Sequence, residues 1–227
     1  MAKILICPDI HGRVFWHKAV ELIDDVDHVV FLGDYLDPYG YEGISFDTAV
    51  EEFNKILQFK ETFNDKVTLL IGNHDCHYVD LDFMDCSRLN YRKRKEMHDL
   101  FMNHIEKFNL IFDYESKYLF SHAGVYANWL ENNDFSFEDL KNFSKFRENW
   151  MSSLEDISFY RGGYNLVGSC VWADLRESLK HSVYPNRHHI VGHTQLEEKP
   201  YKAENITCVD VRRCFILNTE TGEINEA

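Results

Sequence analysis

Six short runs rich in Val, Ile, Leu, Phe and Tyr, at residues 3–7, 28–32, 67–71, 118–121, 189–191 and 206–209, punctuate the chain. Such runs fit buried or half-buried strands. Between them the apolar spacing changes to a helical period. Over residues 47–63, Ala49, Val50, Phe53, Ile56, Leu57 and Phe63 fall on one side of a predicted helix. Asp47 is expected to cap it, with Glu51 and Glu52 at the positive end of its dipole. Similar spacing predicts helices over about 91–107 and 136–154. Strands alternating with helices imply a largely parallel or mixed sheet covered by helices, which makes the class α/β.

Composition narrows the organisation. With 227 residues, 44% apolar and 15% aromatic, the chain can bury a full core, and residues 1–227 read as a single domain. Four prolines, no low-complexity linker and no fixed-period repeat agree with that. Residues 135–165 carry few motifs and read either as a helical insertion, a cap over a site, or as core packing. The first apolar run is too short for a signal-peptide core and no run reaches bilayer length, so a cytoplasmic location without a membrane partner is expected. The six cysteines (Cys7, Cys76, Cys86, Cys170, Cys208 and Cys214) lack Cys-x-x-Cys spacing and are expected to be reduced. A net charge of −14 argues against long nucleic acid as a partner. The basic run Arg92-Lys93-Arg94-Lys95 reads as a solvated face, with steering of a phosphorylated ligand as its functional alternative.

Candidate chemistry lies where apolar runs end: Asp9-Ile10-His11-Gly12, Gly33-Asp34-Tyr35-Leu36-Asp37, Gly72-Asn73-His74-Asp75, Ser121-His122-Ala123-Gly124 and Val191-Gly192-His193-Thr194. Strand-to-loop transitions are the usual place for ligand groups in an α/β sheet. The ordered set of carboxylate, amide and imidazole groups suits two divalent cations roughly 3.5–4 Å apart, the arrangement that activates water and clamps a phosphate. Asp9 and His11, two apart in extended chain, project to one side and can share a cation. Asp34 can bridge both, and Asn73, His122 and His193 would complete the second. This mixed N/O set suits Mn²⁺, with Fe or Zn²⁺ as alternatives, better than Mg²⁺ alone. His74 is the natural general acid and Asp37 its orienting carboxylate, with Asp75 as the alternative orienter. Cys76 is expected to be a small core residue, a metal contact being the alternative.

These blocks resemble the calcineurin-like metallophosphoesterase superfamily, and within it the phosphoprotein-phosphatase type, which includes bacterial and phage Ser/Thr phosphatases and diadenosine polyphosphate hydrolases. The resemblance runs from Asp9 to His193. It implies an α/β/β/α sandwich of mixed sheets flanked by helices. It also implies hydrolysis of phosphomonoesters, in phosphoprotein Ser/Thr or a small phosphorylated metabolite, by attack of a metal-bridging hydroxide. By residue match, Asp9, His11 and Asp34 would serve the first metal, and Asp34, Asn73, His122 and His193 the second. His74 would be the acid, with Asp37 behind it.

Two departures matter. Where the family commonly has arginines that grip phosphate, this chain has Pro38 and Leu70-Ile71. Arg161, in Arg161-Gly162-Gly163, and Arg13 are the substrate-binding candidates, with Arg147 and Arg176 behind them. The alternatives to monoester hydrolysis are a phosphoanhydride hydrolase acting on dinucleoside polyphosphates and a non-catalytic metal-binding scaffold.

Overall fold

Strand β1 (Lys3–Cys7) is buried on both faces, which is why it reads as unbroken apolar sequence rather than an alternation. In the computed structural model, which describes residues 2–227, Ile4 and Ile6 point into an inter-sheet core while Leu5 and Cys7 join the core beneath the helices. Around it lie β2 (His28–Phe31), β3 (Val67–Leu70), β4 (Phe108–Asn109), β5 (Ile111–Tyr114), β6 (Tyr118–Ser121), β7 (His188–Val191), β8 (Tyr201–Lys202), β9 (Ile206–Cys208), β10 (Phe215–Asn218) and β11 (Ile224–Glu226). They form a six-stranded sheet of order β11-β10-β1-β2-β3-β4 and a five-stranded sheet of order β5-β6-β7-β9-β8.

Strands β1 to β4 run parallel, as do β6, β7 and β9, while the remaining pairings are antiparallel. Val30 and Leu70 from the first sheet meet Phe120 and Ile190 from the second, so the two sheets share one apolar layer. The architecture is α/β with two mixed sheets flanked by helices. Loops leaving the parallel strands of each sheet emerge at the same edge, and the two edges are tied together. His122, after β6, places Nδ1 2.8 Å from the carbonyl of Leu32, and the His193 amide, after β7, donates to Asp9 Oδ1 at 3.0 Å.

Among the described residues six helices cover the sheets: α1 (His17–Leu22), α2 (Phe46–Phe63), α3 (Asn73–Val79), α4 (Arg94–Asn103), α5 (Ala127–Glu131) and α6 (Phe143–Trp150). Helix α2 starts one residue before the predicted helix, and its cap is Ser45, whose Oγ accepts the Thr48 amide at 3.0 Å, rather than Asp47. Glu52 is buried instead of facing the dipole, accepting from Trp16 Nε1 at 3.0 Å. The predicted helix over 91–107 shortens to α4 followed by one 3₁₀ turn. That over 136–154 breaks into 3₁₀, α and 3₁₀ turns. Phe135, Phe137, Leu140, Phe143, Phe146 and Leu154 sink into the main core, while Phe159, Tyr164 and Leu166 are exposed. Among the described residues the six cysteines are free and buried, and no helix is long and apolar enough to cross a membrane.

Half-buried His28 and buried His189 give the fold a pH dependence. Burial, and for His28 the nearby Lys60 and Lys66, lowers the pKa of His28 and of His189 to about 4. The unfolded chain therefore binds these protons first. Stability is full above pH 6.5 and falls as pH drops toward 4, by up to about 1.4 kcal/mol per pH unit for each histidine. Urea unfolding midpoints across this range should show the fall, and His189→Gln should make it shallower.

Candidate metal centre

Lone pairs and carboxylates converge at the shared sheet edge without protons to separate them. His11 Nδ1 lies 2.8 Å from the carbonyl of Leu36, as His122 Nδ1 does from that of Leu32. A carbonyl only accepts, so each ring donates through Nδ1 and turns a bare Nε2 inward. His11 Nε2 lies 3.4 Å and His122 Nε2 3.7 Å from Asp34 Oδ2, and Asn73 Oδ1 is 3.0 Å from His122 Nε2. These are contacts between electron-pair donors, and a cation among them is what makes them favourable. Ligand atoms of Asp9, His11 and Asp34 all fall within 4.8 Å of one another. His193 joins through Nδ1, 3.1 Å from His122 Nε2, while its buried Nε2 has no partner. The residues present therefore fit divalent cations, and all six predicted ligand positions come together at one place.

Electrostatics agree with the geometry. Burial holds the pKa of His11 and His193 well below the ordinary imidazole value, which favours the neutral ring, the form able to bind a metal. Burial and then repulsion from Asp9 push Asp34 up, the signature of carboxylates crowded without a counter-charge.

The glycines of two motifs are explained by the same crowding. A Cβ on Gly72 would overlap Asp34 Oδ1, and one on Gly192 would overlap Asp9 Oδ1. Backbone conformation adds a second mark. Of nine non-glycine residues with left-handed backbone among the described residues, five are His11, Asp34, Asp37, Arg88 and His193. Such conformations cost about 1 kcal/mol or more each and persist where surrounding contacts impose them.

Beside the centre, His74 Nδ1 lies 2.9 Å from Asp37 Oδ2, and the His74 amide donates to Asp34 Oδ1 at 2.9 Å. Burial lowers the His74 pKa and Asp37 opposes that effect. Two residues to which the sequence analysis gave no role complete this group. Tyr78 donates its hydroxyl to Asp37 Oδ1 at 2.6 Å, and His77 Nε2 sits 2.9 Å from Asp37 Oδ2. His77 Nδ1 accepts the Cys86 amide at 3.2 Å, which leaves its proton on the nitrogen facing Asp37. Spacing held the signal, since His74, His77 and Tyr78 share one face of helix α3.

The predicted arginines are near the centre but occupied. Arg13 donates from Nε and Nη2 to the Glu42 carboxylate at 2.8 and 3.0 Å, and from Nη1 to the Asp9 carbonyl. Arg161 reaches Thr194, next to His193, but its Nε lies 2.7 Å from Asp174 Oδ2. Arg176 is bound to Asp174 as well. Sequence reasoning missed Arg88, whose Nη2 stands 3.2 Å from His74 Nε2, and Asp210, a buried carboxylate after β9 with Oδ1 unpartnered. Cys76 is a core residue whose thiol faces the Gly72 carbonyl.

Comparison with known proteins follows the same lines. A family model described as calcineurin-like phosphoesterase matches residues 2–196. Serine/threonine-protein phosphatase 2B catalytic subunit A2 of Saccharomyces cerevisiae is 29% identical over 150 residues, 65% of this chain and 23% of that protein. Serine/threonine-protein phosphatase PP1-1 of the same yeast is 31% identical over 83 residues, 34% of this chain and 24% of that one. The matches thus span about a quarter of the length of these curated relatives. A solved S. cerevisiae protein serine/threonine phosphatase with similarity to human phosphatase PP5 shares the fold, with a TM-score of 0.58 and 16% identity over 100% of this chain and 80% of that chain.

One buried side chain braces the centre. Asp75 does not touch His74. Its Oδ2 accepts the amides of Gly72 and Asp34, both at 2.8 Å, and Oδ1 accepts that of Tyr35 at 3.0 Å. Asp75 thereby locks the loop after β2 to the start of α3. Asp75→Ala leaves three buried N–H groups unpaired and should cost about 3–5 kcal/mol. The expected result is a lower urea midpoint at unchanged slope. A change below 1 kcal/mol would remove Asp75 from this bracing role.

Proposed function

We propose that this chain, which belongs to the calcineurin-like phosphoesterase family, is a phosphomonoester hydrolase that works with two divalent cations, Mn²⁺ first among them. Its substrate would be phosphoserine or phosphothreonine in protein, or a small phosphorylated metabolite. The observation that carries the reading is the convergence of unprotonated Nε2 atoms of His11 and His122 on Asp34 and Asn73. Asp9, His11 and Asp34 would hold one cation, and Asp34, Asn73, His122 and His193 the other. Bound there, the ions supply an activated water and neutralise charge on the phosphoryl oxygens.

The chain's own part in the reaction falls to His74 and Asp37. Asp37 fixes the His74 ring through Nδ1, which leaves Nε2, 3.2 Å from Arg88 Nη2, as the nitrogen that would give a leaving oxygen its proton. A metal-binding scaffold needs no such pair. The net charge of −14 supports an isolated phosphoryl group over a polyanion as substrate. In this reading the chain is one domain, with 135–154 packed as core and 159–166 lying beside the rim.

Purified protein with Mn²⁺ should release phosphate from p-nitrophenyl phosphate, phenyl phosphate and a phosphopeptide, and leave an aryl phosphodiester and diadenosine tetraphosphate intact. Asp34→Asn should lose Mn²⁺ binding by calorimetry together with turnover. His74→Ala should keep Mn²⁺ and lose about 10²–10⁴ in rate on phenyl phosphate, but less on the better p-nitrophenyl leaving group. Equal rates for His74→Ala and parent on phenyl phosphate would remove His74 as the acid. Cleavage of the dinucleotide alone would make the chain an anhydride hydrolase, and bound Mn²⁺ without turnover would make it a scaffold.

A further inference from the structure

Arg88 is a cation without an anion, in a chain with 38 acidic and 24 basic residues. Arg13, Arg94, Arg161, Arg176, Arg187, Arg212 and Arg213 each lie within 4 Å of a carboxylate. Among the described residues no carboxylate stands that close to the Arg88 guanidinium. Its Nε donates to the Asp37 carbonyl at 2.9 Å, Nη1 to Ser87 Oγ at 3.2 Å, and its plane rests 3.8 Å from the centroid of Tyr39. Nη2 faces His74 Nε2 at 3.2 Å.

These contacts orient the guanidinium without neutralising it. Arginine's planar fork suits phosphate oxygens, and its remaining N–H groups are available. The position is imposed from both sides. Arg88 has left-handed backbone, at φ 66°, like the site residues His11, Asp34, Asp37 and His193. Two residues earlier, Cys86 is tied to α3 through its amide to His77 and its thiol to the Asn73 carbonyl at 3.2 Å. Arg88 also borders an open pocket of about 490 Å³ with Pro38, Phe46, Tyr91 and Arg92, so the residue meets solvent on that side.

Building on the hydrolase reading above, we propose that Arg88 is the substrate-binding arginine of this centre. Its guanidinium takes phosphoryl oxygens of the bound monoester at the His74 side, where the occupied forks of Arg13 and Arg161 do not serve. Substrate binding takes Arg88 off His74 Nε2, which is then free to take up a proton from solvent and pass it to the leaving oxygen.

The test uses inorganic phosphate as probe on the Mn²⁺-loaded full chain. Calorimetric phosphate affinity, and phosphate inhibition of p-nitrophenyl phosphate hydrolysis, should weaken about 10- to 100-fold in Arg88→Ala, the range expected for losing a hydrogen bond to a charged group. KM should rise by a similar factor, Mn²⁺ affinity should match the parent, and Arg88→Lys should recover part of the loss. Arg161→Ala should change phosphate affinity less than Arg88→Ala. Phosphate affinity within twofold of the parent in Arg88→Ala overturns the assignment, as does a joint loss of Mn²⁺ and phosphate in both Arg88 variants, which marks a structural role. A parent that binds phosphate through Arg88 yet turns over nothing overturns the hydrolase reading and keeps this one. A parent that binds no phosphate overturns Arg88.

Discussion

Burying several electron-pair donors against one another is unfavourable unless positive charge lies among them, and the structure is organised around that constraint. Asp9, Asp34, Asn73, His11 and His122 are all buried at the edge where two sheets meet. Four of the five are held there by backbone contacts: Nδ1 of both imidazoles on carbonyls, Asp9 on the His193 amide, Asp34 on the His74 amide. Those outer contacts fix which atoms point inward. Crowding there also raises the pKa of Asp34, through burial first and repulsion from Asp9 second.

The cost of this arrangement appears in the backbone. Left-handed residues cluster at the site, and the loop after β2, which carries two of them, is locked to the start of α3 by a single carboxylate, Asp75, through three amides. Glycine at 72 and 192 follows from the same packing, because the Asp34 and Asp9 carboxylates occupy the space where a Cβ would stand. Strain, brace and glycines are therefore one design seen from three directions. Loops set by ligand geometry need outside support, and rigid strands on both sides supply it.

Legibility in the sequence followed the strength of the local signal. Doubly buried strands such as Lys3–Cys7 and Tyr118–Ser121 stood out as unbroken apolar runs. The two-residue β4, the half-buried edge strand Ile111–Tyr114 and the closing strands β10 and β11 were too short or too mixed to be read. Ser45 displaced Asp47 as helix cap because the first turn began one residue early, leaving the aspartate inside it. Motif residues were legible because each sits next to a strand end. Arg88 was not, since it lies 14 residues past His74 in an irregular loop, and only tertiary contact through Cys86 and His77 brings it back.

Charge explains why the arginines picked out in the sequence were poorer candidates than this one. Arg13 and Arg161 lie near the centre, yet each is already ion-paired, with Glu42 and Asp174, so any anion they gripped would first have to displace a paired carboxylate. A guanidinium held only by a carbonyl, a hydroxyl, an aromatic face and a neutral imidazole requires no such exchange of charge. In a protein of net charge −14, a cation left unpaired at the mouth of a buried centre focuses a positive field on one small volume. In the proposed hydrolase that field would favour a compact phosphoryl group there, while the acidic remainder of the surface would disfavour an extended polyanion. Selectivity for size of anion and the local grip on it would then have one origin, the uneven distribution of charge.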